Sequence, residues 1–203
     1  DCQVGGVIGN VRDQVALSDV TFTVNQNATI TTGTYDLGNV AVTGGVVGSI
    51  YSIGADAVDV SNVNLVFNGS VTSSATAPTA QGMAVGGGIG GVGNTGAIID
   101  HLTITTGSTA SVTCGGGDPG NSWNYAGMAI GRVGNSEFSH YIFSLNGTLT
   151  GANDSSIGAA IADAYASTFT DGTVTIQSAL EIHAGDCQSA ARDSLGGDSF
   201  PIP

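Results

Sequence analysis

Five polar residues of the kinds that carry protons or bind metals recur at one equivalent position along the chain. They are Asp19, Asn62, His101, His140 and Asp171, each in a related segment such as "LSDVTFTV" or "FSHYIFSL". Histidine and carboxylate side chains are common acid–base groups and metal ligands. Asp, Asn and His also share turn conformations and bonds to the backbone. We interpret the row as a polar ladder at a turn, so the sequence predicts no catalytic residue and no metal site.

The remaining reactive residues form no familiar catalytic pattern. Asp100 and His101 are adjacent, so on a regular strand they are expected to point to opposite faces and to form no dyad. His183 and Cys187 lack the Asn or Asp of a thiol protease. Arg132 has no acidic partner pattern of the kind that polysaccharide-cleaving enzymes use. The sequence therefore predicts a protein without enzymatic activity or cofactor. A polysaccharide-active enzyme that uses Arg132 is a less favoured alternative.

Charge and composition exclude several classes of partner. The 203 residues include 33 glycines, three cations and sixteen acids, which give a net charge of −13, and only 9% of residues are charged. Nucleic acids and anionic membrane surfaces need clustered Lys or Arg, so neither is expected as a partner. No apolar run approaches 18 residues, so no membrane span is predicted. Because the chain starts at Asp1 without Met, we expect a processed mature product or a fragment.

Sequons and cysteines indicate an extracellular protein. Four Asn-x-Ser/Thr triplets predict N-linked glycans at Asn27, Asn68, Asn146 and Asn153. The odd number of cysteines predicts one disulfide and one thiol that stays free or bonds to a neighbouring chain. Cys114 and Cys187 each follow the third element of a repeat and are the expected pair, which leaves Cys2 near the start of the chain.

A three-part unit occurs five times in the chain. One copy reads "GGVVGSI", then "VSNVNLVF", then "NGSV", and the second parts start at Leu17, Val60, Ile99, Phe138 and Phe169, at intervals of 43, 39, 39 and 31 residues. Such self-similarity is typical of a repeat array whose neighbours bury each other's apolar faces. The parts alternate with period two and lack a helical period, and the same strand type recurs once per unit, which favours a solenoid over a propeller.

The pattern predicts an all-β fold, a parallel β-solenoid of about five repeats with few or no helices. Residues 1–185 would form the solenoid domain and 186–203 an extended C-terminal tail. Two inward columns are predicted, one of Val20, Val63, Leu102 and Tyr141, the other of Phe22, Leu65, Ile104 and Phe143.

Outward Thr-x-Thr pairs could order water as ice-binding proteins do. In the second element they are interrupted at Asn64 and Val66 and again at Ile142 and Ser144, so ice binding is a less favoured alternative.

The motifs "GGVVGSI…VSNVNLVFNGSV" and "GGGIGGVGN…IDHLTITTGS" resemble the GLUG-type repeats of secreted bacterial and protist surface proteins. The resemblance covers most of residues 4–182, and the fifth copy departs from it at "GAAIADA". It implies a right-handed β-helix in an exported adhesive or structural protein, and it supplies no catalytic residues.

These observations predict a secreted structural protein that self-associates. The first unit starts within five residues of Asp1, so we expect almost no room for an N-terminal cap over the strand edges. An open edge favours head-to-tail stacking into an extracellular filament, appendage or coat. The alternative is an adhesin or carbohydrate-binding module in which the repeats form a passive stalk.

Overall fold

The computed structural model describes residues 2–32, 41–52, 57–74, 83–94, 96–115, 124–152 and 155–184. All described secondary structure is β-strand, so the predicted all-β class is confirmed. No described segment is a helix of the length and hydropathy needed to cross a membrane. The predicted tail, 186–203, lies outside the described residues, and the domain boundary at 185 stays a prediction.

The strands form four parallel sheets. Sheet A contains β1 (Cys2–Gly5), β5 (Ala41–Gly44), β9 (Met83–Gly86), β13 (Asn124–Gly127) and β18 (Ser155–Gly158). Sheet B contains β2 (Ile8–Arg12), β6 (Val47–Ser52), β10 (Ile89–Asn94), β14 (Ile130–Gly134) and β19 (Ile161–Tyr165). Sheet C contains β3 (Ala16–Val24), β7 (Val58–Phe67), β11 (Ala97–Thr106), β15 (Glu137–Ser139), β16 (Ile142–Leu145), β20 (Thr168–Thr170) and β21 (Thr173–Ile176). Sheet D contains β4 (Thr29–Thr32), β8 (Ser70–Ser74), β12 (Ser111–Gly115), β17 (Thr148–Gly151) and β22 (Glu181–Ala184).

The chain visits sheets A, B, C and D in that order and then repeats the circuit, so strands that stack in one sheet are one circuit apart in sequence. This is the connectivity of a parallel β-solenoid, and that part of the prediction is confirmed. The prediction of five equivalent repeats is corrected to about three turns. The circuits from β5 to β17 enclose the core, whereas β1–β4 leave many inward side chains half-buried and β20–β22 contain no buried residue. The outer strand sets are more exposed because each lies against a neighbour on one side only.

The inward columns have the predicted register in sheet C. Val20 pairs with Val63 and Val63 with Leu102, while Phe22, Leu65, Ile104 and Phe143 follow one another across four strands. Members of these columns in β7, β11 and β16 are buried, and Tyr141 packs against the same core while half-buried. Period-two alternation places these side chains inside because a strand presents successive residues to opposite faces.

Sheets A and B approach each other through glycines. A Cβ added to Gly90 of β10 would lie 2.6 Å from backbone atoms of Thr43 in β5, and one added to Gly131 would lie 2.6 Å from Val85 N in β9. Such distances leave no room for any side chain. The repeated Gly-rich element is therefore required by contact between two backbones.

Candidate functional site

The polar row predicted from the sequence forms a line of left-handed residues along sheet C. The five φ values are 55° at Asp19, 57° at Asn62, 55° at His101, 51° at His140 and 53° at Asp171. Asn and Asp adopt this region more readily than most residues, and His is also enriched there. In the last two circuits the residue, His140 or Asp171, falls between two short strands, so it marks a bend in the chain. The interpretation as a polar ladder at a turn is confirmed.

One hydrogen bond and one ring stack join members of the row in neighbouring circuits. The Asn62 amide nitrogen Nδ2 donates to Asp19 Oδ1 at 2.7 Å, between strands β7 and β3. In the next two circuits the His101 and His140 rings stack with centroids 4.6 Å apart and an angle of 17° between their planes. Four of the five side chains in the row therefore contact an equivalent one in a neighbouring circuit.

Substituting Asn62 separates the backbone requirement from the side-chain bond. Asn62→Val places a β-branched residue in the left-handed region, and we expect it to lower the free energy of unfolding by about 1–2 kcal/mol. Asn62→Gly keeps the backbone conformation and loses one exposed hydrogen bond, so its effect should stay below about 1 kcal/mol. Denaturant unfolding followed by circular dichroism measures both; equal losses in the two variants would contradict the assigned backbone role.

Asp100 joins the two histidines into a compact cluster, which we call the Asp–His cluster (Asp100, His101 and His140). Asp100 Oδ2 lies 2.7 Å from His101 Nδ1, and Asp100 Oδ1 lies 2.8 Å from His140 Nδ1. The Ser139 hydroxyl also donates to Asp100 Oδ1 at 2.7 Å. Hydrogen bonds from His140, Ser139 and His101 hold the pKa of Asp100 well below its ordinary value, and the bond to Asp100 raises the pKa of His140.

The prediction that Asp100 and His101 point to opposite faces is wrong. Strict alternation requires extended backbone at both residues, and His101 has a φ of 55° instead. The bend turns the imidazole back toward the carboxylate of the preceding residue. The sequence signal was the recurrence of Asp, Asn and His at this position, which indicates a bend at each of them. A bend at residue 101 changes the direction in which its side chain points.

Arg132 contacts two tyrosine rings and a carboxylate on the outer face of sheet B. Its guanidinium carbon lies 5.1 Å from the centre of the Tyr125 ring and 4.9 Å from that of Tyr165, and its Nε donates to Asp163 Oδ2 at 3.0 Å. Contacts of a cation with two aromatic faces and a carboxylate stabilise the fold locally. These contacts give Arg132 a structural role beside the catalytic one considered from the sequence.

A regular hydroxyl surface occupies the outer face of sheet D, and the sequence analysis missed it. Two outward columns cross four strands in register, Thr29, Ser70, Ser111 and Thr148 in one and Thr31, Thr72, Thr113 and Thr150 in the other. Thr29–Thr31 and Thr148–Thr150 are visible as pairs in the sequence, but the regularity of Thr pairs was judged in the second element, where they are interrupted. The third elements, "TIT", "SVT", "SVT" and "TLT", contained the signal. At β22 the columns end in Glu181 and His183.

The predicted modification sites lie at turns or outside the described residues. Asn27, Asn68 and Asn146 occupy the same turn between sheets C and D in three circuits, as predicted, and Asn153 is not described. Cys2 and Cys114 form no disulfide with each other, and burial raises the pKa of the Cys114 thiol to about 12. Cys187 lies outside the described residues. Glycan attachment and the Cys114–Cys187 disulfide therefore stay predictions.

No family model, curated protein or solved structure matches this chain. The resemblance to GLUG-type repeats thus depends on the quoted motifs alone. Three surfaces of the solenoid could carry a function: its two ends, its hydroxyl face and the Asp–His cluster.

Proposed function

We propose that the protein is a secreted, non-enzymatic structural subunit that stacks end to end into an extracellular filament or coat. One observation carries the proposal: an apolar column that is covered inside the solenoid is uncovered at its described C-terminal end. In sheet D, Ile30, Val71, Val112, Leu149 and Ile182 form one continuous column. Ile30 is 8% exposed and Val71, Val112 and Leu149 are fully buried, whereas Ile182 is 49% exposed.

The two ends are complementary because the same columns run from one end to the other. Among the described strands, β4 pairs only with β8 and β22 pairs only with β17, so each has a backbone edge without a β partner there. A second copy placed with its β4 on β22 would continue the sheet in parallel and would cover Ile182 with the equivalent of Ile30. A head-to-tail contact of this kind repeats without closing and produces a filament.

Composition supports an exposed, extracellular polymer. A net charge of −13 would keep finished filaments apart in solution, and the hydroxyl columns of sheet D add an uncharged polar surface. Glycans at Asn27, Asn68 and Asn146 would follow one edge of the filament. The resemblance to exported repeat proteins agrees with this assignment, and an adhesin with a passive stalk is the alternative.

Ile182→Asp tests the proposed junction. A charge at the exposed end of the sheet D column would be buried without a partner at every contact, so we expect the variant to remain monomeric. The wild type should form particles whose length increases with concentration. Sedimentation velocity and electron microscopy across a concentration series measure both results.

Ile142→Asp is the matched control. Ile142 is 52% exposed and faces outward from β16, which has paired strands on both sides, so the substitution adds the same charge without reaching a junction. This variant should assemble like the wild type. Isolated wild-type particles at every concentration, or equal assembly by both variants, would remove the basis of the proposal.

The hydroxyl face of sheet D favours ice binding as a second candidate. Its two columns are about 6.6 Å apart along each strand, and successive strands are about 4.8 Å apart. Four consecutive circuits present this flat lattice, and Thr72 and Thr113 occupy its centre. A rigid array of hydroxyl and methyl groups can hold an ordered water layer, which is the property that an ice-binding surface needs.

Thermal hysteresis measures this activity directly. If the face binds ice, Thr113→Tyr should abolish hysteresis because a large side chain breaks the flat lattice at its centre. Thr105→Tyr, on the outer face of sheet C, should retain it. Absence of hysteresis in the wild type would exclude this candidate and leave the polymer proposal unaffected.

A further inference from the structure

We propose that the Asp–His cluster binds a divalent late transition-metal ion, of the class of Zn²⁺ and Ni²⁺, on the outer surface of sheet C. Asp100, His101 and His140 each offer one ligand atom, and these atoms all lie within 4.8 Å of one another. This site is separate from the polymer junction and from the hydroxyl face. The proposal therefore does not depend on either function considered above.

The fold brings the three ligands together by stacking two circuits. Asp100 and His101 lie on β11, and His140 lies in the next circuit between β15 and β16. The shared left-handed conformation directs both imidazoles to the same side of the sheet, one above the other. Because parallel pairing fixes the backbone on both sides of the bend, the ligands are held near each other before an ion arrives.

The donor set selects the class of ion. Two imidazole nitrogens and one carboxylate oxygen suit Zn²⁺, Ni²⁺ and Cu²⁺, whereas Ca²⁺ and Mg²⁺ prefer oxygen ligands alone. The Ser139 hydroxyl donates a hydrogen bond to Asp100 Oδ1 and so helps to fix the orientation of the carboxylate. Asp171 follows His140 in the polar row and adds negative charge at the same edge.

Binding requires a rearrangement of exposed side chains only. One ion cannot lie in the planes of two rings that stack at 17°, so at least one imidazole must rotate. The side chains of His101 and His140 are 58% and 52% exposed, which leaves room for that rotation. The ion would replace the two Asp–His hydrogen bonds, and water would complete its coordination.

Calorimetric titration of the full chain with ZnCl₂ and NiCl₂ tests the site. Wild type should bind one ion saturably, and His101→Asn and His140→Asn should lose that binding. Asn is the appropriate replacement because Asn62 occupies the same position in the neighbouring circuit with the same backbone conformation. His183→Asn is the control, since His183 lies on sheet D beside Glu181 and should not contribute.

Nuclear magnetic resonance locates the ion without relying on variants. Substoichiometric Ni²⁺ should broaden the ring signals of His101 and His140 before those of His183. This measurement also separates the site from the Cys2 thiol, whose neighbours in β1 would broaden instead if sulfur held the ion. Absence of saturable binding up to millimolar metal, broadening centred elsewhere, or undiminished binding by both Asn variants would overturn the proposal.

Discussion

Gly90→Ala is expected to lower the free energy of unfolding by about 3 kcal/mol, near the upper end of the usual range for overpacking. The new methyl carbon would lie 2.6 Å from Gly48 O and 2.6 Å from both the backbone N and C of Thr43. These atoms belong to paired strands on two sheets, so relief requires the separation of sheet A from sheet B. Loss of this size is a large fraction of the stability of a typical domain.

Gly91→Ala is the matched control on the same strand. Its added Cβ would meet Val42 Cγ1 at 3.0 Å, and its next neighbour, Arg132 O, lies at 3.9 Å. The Val42 side chain can move, and alanine restricts the unfolded chain more than glycine does. We expect a change below about 1 kcal/mol in denaturant unfolding. A similar loss in both variants would mean that strand propensity, rather than contact between sheets, explains the glycines.

The fold class could be predicted from the sequence because each circuit of a solenoid is formed by one local repeat of the chain. Alternation in "VSNVNLVF" and "IDHLTIT" gave both the strand and its inward face, and the interval of 39 residues between these two segments gave the register between Leu65 and Ile104. Coverage of the core could not be predicted in the same way. A terminal unit has the same alternating pattern as a central one, but its burial depends on what lies on its far side. The count of five repeats therefore exceeded the number of enclosed turns.

The candidate sites were predicted less completely because they depend on backbone direction and on neighbours one circuit away. The polar row was found, since Asp, Asn and His recur at one position. The contact between Asp100 and His101 was not, because a single left-handed residue reverses the rule of alternation. Asp100 meets His140 only when two circuits stack, 40 positions apart in the chain. The hydroxyl face likewise exists only because β4, β8, β12 and β17 pair in register, and that pairing could not be read from any one repeat.

Phe143→Ala should lower the free energy of unfolding by about 3–5 kcal/mol, as large-to-small substitutions in packed cores do. The Phe143 side chain is fully buried, and its ring lies 5.1 Å from that of Tyr141. Ile104 and Val174 are its partners above and below in the column. A cavity at this point would remove contacts with both neighbouring circuits, because each residue of a column packs against two others.

Ile142→Ala is the corresponding control one residue earlier in β16. Ile142 is 52% exposed on the outer face, so its truncation should change the free energy of unfolding by no more than about 0.5 kcal/mol. Chemical denaturation followed by far-ultraviolet circular dichroism compares the two variants, and hydrogen exchange shows whether the loss is centred on β11, β16 and β21. Equal effects at 142 and 143 would mean that this strand has no inward and outward face. The columns, and the end-to-end stacking that continues them, would then lose their physical basis.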